Sequence, residues 1–134
     1  MLVCVILPIF AVMKEKFRVI IAGSRDFKDY DLLVGKCNNL LSEKAKTHDI
    51  VIISGTARGA DQLGEKFAEE MGYELEKYPA DWDKYGKSAG YIRNKEMAEN
   101  ADAVICFWNG ISLGTKHMVD IAKEKGLMLK VIRY

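Results

Sequence analysis

The chain has 134 residues, 49% of them hydrophobic and 29% charged, with a formal net charge of +1. That composition suits one packed domain and excludes a disordered chain. Lysines and arginines are scattered, so binding of nucleic acid by bulk electrostatics is not favoured, while a local anion site stays open.

The first twelve residues, MLVCVILPIFAV, are apolar. A membrane helix needs about 20 such residues, and the positive start of a signal peptide is missing. Two readings stand: an upstream mis-start with Met13 as the natural first residue, or an extra strand or sticky arm. Residues 1–16 are therefore set apart as an extension, and residues 17–134 as the domain. The cysteines Cys4, Cys37 and Cys106 are odd in number and match no zinc or redox spacing, which points to a reduced, cytoplasmic protein. His48 and His117 lack metal-binding neighbours in sequence, so neither a metal nor a cofactor is expected.

Phe17 to Ala22 reads as a buried strand, followed by the loop GSRDFKDY. Asp31 to Lys46 reads as a helix with Leu33, Cys37, Leu40 and Leu41 on its inner stripe. Ile50 to Ser54 is a second buried strand. Gly59 to Met71 is a helix with Ala60, Leu63, Phe67, Ala68 and Met71 inward, ended by Gly72. YELEKYP reads as a less buried third strand, and ADWDKYGKSAG as a loop. Ala89 to Asn100 is a helix, Ala103 to Trp108 a strand, Thr115 to Lys125 a helix, and LMLKVIRY a fifth strand. Continuous apolar strands alternating with helices predict a doubly wound, Rossmann-like α/β domain. Its sheet would be parallel and five-stranded, with helices on both faces.

In such sheets ligands bind beyond the C-terminal strand ends, where the strand order reverses. Three strands here end in glycine turns: GSR, GTARGAD and NGISLG. A strand order of 3-2-1-4-5 would place those turns side by side. Two of them lead into predicted helix starts, whose free N–H groups attract anions. Neither has the glycine-lysine-serine/threonine of a P-loop, and no good GxGxxG fingerprint follows the first strand. The candidate ligand-binding residues are Gly23, Ser24 and Arg25 in the first turn; Ser54, Gly55, Arg58, Gly59 and Asp61 in the second; and Asn109, Gly110, Ser112, Gly114 and Thr115 in the last.

Arg58 precedes a helix start, where its charge opposes the helix dipole, so an anionic ligand would account for it better than stability does. Asp61 suits the dipole on its own account, and a ribose hydroxyl is the functional alternative. Arg93 shares a helical stripe with Ala89 and Met97 and should point inward, toward a ligand phosphate or an internal acid. The expectation is that Arg58 and Arg93 contact one anion. Trp82 and Tyr85 could stack on a base or cover the site, or pack on a helix or a second subunit. Lys116 and His117 follow the last turn and could reach a phosphate, though solvated helix residues are the commoner case.

Together, IAGSRDF, ISGTARGAD, YPADWDKYGKSAG, IRNKEMA and CFWNGISLGTKHM resemble the YspA, cpYpsA-related family of the SLOG superfamily, from Phe17 to about Tyr134. The resemblance implies a Rossmann-like fold and a nucleotide or nucleotide-derived ligand. Related branches include the LOG phosphoribohydrolases, which cleave nucleoside monophosphates, and DNA-processing protein A, which binds single-stranded DNA. Of the LOG helix motif, arginine-lysine-x-x-methionine, Arg93 and Met97 match and the lysine falls out of register. Of the LOG glycine loop, Gly110, Gly114 and Thr115 match, Ser112 replaces a glycine, and Met118 stands at the catalytic glutamate's position.

A thioether can neither stabilise an oxocarbenium-like centre nor activate water. The resemblance thus implies a binding module, a sensor or carrier. A nucleoside-monophosphate hydrolase would need a substitute carboxylate, with Asp61 and Asp120 the nearest. A single-stranded nucleic-acid binder is the third reading, which the near-neutral charge disfavours. Membrane association is not expected, and a homodimer that completes the site fits the exposed aromatic loop.

Overall fold

The computed structural model describes residues 14–134; the apolar N-terminal segment and Cys4 lie outside the described residues. The strands are β1 (Lys16–Gly23), β2 (Asp49–Ser54), β3 (Glu74–Lys77), β4 (Ala103–Trp108) and β5 (Met128–Arg133). The helices are α1 (Tyr30–Ala45), α2 (Ala60–Met71), α3 (Trp82–Tyr85), α4 (Ala89–Glu99) and α5 (Leu113–Glu124). All strand pairs are parallel, in the order β3-β2-β1-β4-β5. This is the expected doubly wound fold, and the chain reverses direction in the sheet between β1 and β4.

The middle strand explains the fold. Val19, Ile20 and Ile21 are fully buried, so β1 must be covered on both faces. On one face Val19 and Ile21 pack with Leu33, Cys37 and Leu41 of α1 and Phe67 and Ala68 of α2. On the other, Ile20 and Ala22 pack with Met97 of α4 and Met118, Val119 and Ala122 of α5. Burial pushes the Cys37 and Cys106 thiols up to about 12, so both behave as small apolar core groups at neutral pH.

Two side chains read as inward are not. Leu40 is 39% exposed, because it overhangs the part of the sheet beside Met128 where an apolar groove of about 220 Å³ stays open. Met71 is 43% exposed, because the last turn of α2 runs past the sheet to a hollow beside His48 and Asp49. The segment read as a loop contains the single turn of α3 and a 3-10 turn, Gly86–Ser88. Asp81 caps α3 by accepting from the Lys84 amide at 3.1 Å. One isolated turn with no buried residue leaves no periodic stripe to read.

At the C-terminal end of β1, Gly23 pairs with Phe107 of β4. A Cβ there would strike the Phe107 carbonyl oxygen and come within 2.7 Å of the Ala60 Cβ, so only glycine lets β1, β4 and α2 meet. Gly23→Ala is expected to cost about 3 kcal/mol in urea unfolding, the upper end for overpacking, because backbone blocks its relief. Gly35→Ala, in α1 with nothing within 4 Å of an added Cβ, should instead stabilise by up to about 1 kcal/mol.

Candidate functional site

The three glycine turns do converge beyond the strand ends. Ser24 joins them. Its amide donates to the Phe107 carbonyl at 2.9 Å, its hydroxyl accepts from the Asn109 amide at 3.0 Å, and its carbonyl accepts from the Ala60 amide at 3.4 Å. Ser54 has a similar role in the second turn: its hydroxyl donates to Glu65 at 2.7 Å and accepts from the Thr56 amide at 3.0 Å. Asn109 shapes the last turn, its Oδ1 accepting from the amides of Ile111 at 2.8 Å and Ser112 at 2.9 Å. Ser112 caps α5 by accepting from Thr115 at 3.3 Å. Ser24, Ser54 and Asn109 therefore build the turns, and their side-chain hydrogen bonds are spent inside the protein.

Between the turns lies a small cavity of about 80 Å³. Of the expected residues, Gly23, Arg25, Asp61, Arg93, Ser112, Gly114 and Thr115 line it. Ala22, Ala57, Asn94 and Met97 line it as well and were not anticipated. A second chamber of about 190 Å³ continues from it, sharing Arg25, Arg93, Asn94 and Gly114 and adding Trp82, Lys87, Gly90 and Tyr91. Larger hollows lie elsewhere, one of about 400 Å³ beside Lys16 and His48 and one of about 480 Å³ beside Gln62 and Lys66. Neither has buried polar groups turned into it comparable to Asp61 and Asn94.

Asp61 is 5% exposed in the first turn of α2. Its carboxylate accepts from the Ala57 amide at 3.1 Å. Burial pushes its pKa from 3.8 up to about 6, only partly offset by the Ala57 amide and the Arg93 charge. Arg93 of α4 reaches across to donate to the Gly55 carbonyl, and its Nε donates to Asn94 Oδ1 at 3.0 Å. Burial lowers its pKa, the Asp61 charge opposes that, and the Arg25 charge adds to it. Guanidinium stays protonated regardless.

Gly55 sits between the two: a Cβ there would lie 2.8 Å from Arg93 Nη1 and 2.9 Å from Asp61 Oδ2. Next to it Thr56 holds φ at 66°, a left-handed conformation that is costly for a β-branched residue and is found where a site stores strain.

Asn94 is buried and bridges the walls, its Nδ2 donating to the Gly114 carbonyl at 3.3 Å and lying 3.2 Å from His117 Nδ1. With Nδ1 accepting and burial lowering its pKa, His117 is a neutral bridge post rather than a cation. The signal for Asn94 was available, since it sits three and four residues before the buried Met97 and Ala98.

Other expected residues fall outside the cavity lining. Arg58 is exposed, forms no ion pair among the described residues and does not line the cavity; the arginines that line it are Arg25 and Arg93. Asp120 is exposed and pairs with Lys116 at 2.9 Å, which holds its pKa below the usual value. It does not line the cavity. Met118 is buried in the core beneath the last turn. Tyr85 lines neither chamber and lies under the Lys84 ammonium. Gly59 and Gly110 hold positive φ angles of 80° and 84° that shape their turns. Among the described residues no three His, Cys, Asp or Glu side chains gather as a metal site, and no helix is long and apolar enough to cross a membrane.

A parallel sheet in this order, with a polar cavity at its switch point where a buried acid and a half-buried arginine approach each other, defines the Rossmann-like class of domain. Residues 17–85 match the YspA, cpYpsA-related SLOG family. The chain is 35% identical over 120 residues to the Gene 61 protein of Mycobacterium phage D29, covering 82% of this chain and 91% of that protein. The chain belongs to the YspA, cpYpsA-related SLOG family.

In three dimensions it is similar to DNA processing protein A of Streptococcus pneumoniae, with a TM-score of 0.67 and 17% identity over 90% of this chain. It is also similar to DNA processing protein A of Helicobacter pylori, whose structure concerns single-stranded DNA binding, with a TM-score of 0.57 and 22% identity over 86% of this chain. The chain spans 51% and 64% of those two longer proteins, and the likeness is one of fold.

The raised Asp61 pKa has a stability consequence. The folded state holds the proton more tightly than the unfolded chain, so stability falls as pH rises from about 4 to about 6 and is level above. Asp61→Asn should remove that slope, gaining on the order of 2–3 kcal/mol on wild type between those limits. Urea midpoints across the pH range, compared between the two proteins, measure it.

Proposed function

We propose that residues 17–134 bind a nucleotide or nucleotide-derived ligand at the converging turns, as a sensor or carrier. The observation that carries this is the state of Arg93. It is half-buried, yet its hydrogen bonds go to two neutral acceptors, the Gly55 carbonyl and Asn94, rather than to a carboxylate. Buried charge is costly unless compensated, and Arg25 adds like charge beside it. A ligand phosphoryl group supplies the missing negative charge, cradled by the start of α5 at Ser112, Gly114 and Thr115. Asp61 is placed to accept from a sugar hydroxyl.

Turnover is not expected. Asp61 is the one carboxylate in the cavity lining among the described residues; Glu65, near enough for its charge to act on Asp61, accepts from Ser54 and does not line the cavity, so no second acid or base faces the ligand space. A second reading, single-stranded nucleic acid, draws on Arg25, Lys87 and Arg93 lining a groove with Trp82 and Tyr91, a cationic and aromatic mixture that suits stacked bases. The short length of that groove favours a small ligand.

Calorimetric titration of the intact chain with nucleotides, alongside a twelve-base oligonucleotide, separates these readings. Arg25→Ala and Arg93→Ala should each weaken nucleotide binding about tenfold or more, while exposed Arg58→Ala should change it less than about threefold. Equal effects from all three would remove the cavity from consideration. Release of free base, abolished in Asp61→Asn, would establish a hydrolase.

A further inference from the structure

The two chambers differ in charge. The inner one holds Asp61 beside Arg93, and its volume of about 80 Å³ leaves room for little more than one phosphoryl group or a sugar edge. The outer one, of about 190 Å³, is lined by Arg25, Lys87 and Arg93 and by no carboxylate. Among the described residues neither Arg25 nor Lys87 has a carboxylate within 4.0 Å. Arg25 lies close enough to Arg93 for the two charges to repel. Three cations thus converge where one would answer a structural need.

The aromatic wall sits on the same spot. A Cβ on Gly90 would lie 3.4 Å from the Trp82 ring and 3.8 Å from Arg93 Nη2, so the ring and the guanidinium close over one helical residue. Trp82 is half exposed, with a face free to stack.

Resting on the nucleotide-binding reading above, we infer that the ligand carries at least two linked phosphoryl groups, one at the start of α5 and a second between Arg25, Lys87 and Arg93, with its base against Trp82. A nucleoside monophosphate brings about two negative charges, which Arg25 and Arg93 alone satisfy. A third cation, Lys87, with no acid to pair with, matches the additional charge of a diphosphate group. Repulsion from Asp61 places that second group outward rather than deeper.

The test is a calorimetric titration of the full chain with the four common nucleoside monophosphates and their diphosphates, and with orthophosphate against pyrophosphate as base-free probes. At least one diphosphate should bind about tenfold or more tightly than its monophosphate, and pyrophosphate should compete better than orthophosphate. Lys87→Ala should narrow that preference below about threefold, and Lys36→Ala, on the outer face of α1, should leave it intact. Monophosphates binding as tightly as diphosphates would overturn this inference and leave the nucleotide site standing. No binding by any of the eight nucleotides would overturn both. A preference that survives Lys87→Ala would place the second group elsewhere and overturn the assignment.

Discussion

Everything in this domain hangs on one strand that has no solvent face. With Val19, Ile20 and Ile21 fully buried, β1 needs helices above and below and a strand on each side. Right-handed parallel crossovers then send the chain one way from β1 and the other way through β4. The ends of β1, β2 and β4 are left open at the same edge, and the loops leaving them must share a small space. Gly23 and Ser24 are the residues that make the sharing feasible: one has no side chain to collide, and the other bonds to the last turn and the start of α2 at once.

The site follows from this crowding. α4 lies on the opposite face of the sheet from α2, yet Arg93 reaches the carbonyl of Gly55, at the foot of the turn that leads to Asp61. An acid and an arginine from opposite layers therefore meet at the strand ends without closing an ion pair. The acid is pushed toward its neutral form by burial, and the guanidinium keeps its charge. With Arg25 beside Arg93, two cations line the cavity against one carboxylate.

Much of this was legible in the sequence because it rests on long-range pattern. The buried strands read as unbroken apolar runs whose alternation with helices specifies a parallel, doubly wound sheet, and the order 3-2-1-4-5 was the one that set the three glycine turns side by side. Arg93 was legible from its spacing to Ala89 and Met97, and Asp61 from its place after a glycine turn. Arg58 and Arg25 could not be ranked that way. Both are exposed cations in glycine loops, and which one lines the cavity depends on loop dihedrals such as the positive φ of Thr56, which no periodicity reports. Ser24, Ser54 and Asn109 were recognised as site residues, but a sequence does not distinguish a hydroxyl that meets a ligand from one already bonded to a neighbouring turn. Leu40 shows the same limit in the core. Its spacing is right, but the sheet beneath it has no covering element.

The two walls of the groove are built with unequal investment. The inner wall is braced by backbone hydrogen bonds from Ser24 to two other segments, so its three turns form a single block. The outer wall, α3 and the 3-10 turn after it, buries none of its own residues and is secured locally by the Asp81 cap. Substitutions that reshape the outer wall therefore touch almost nothing on which folding depends. Residues 81–88 can thus vary in shape and chemistry at little cost to stability, while the three turns opposite them are held fixed by the core.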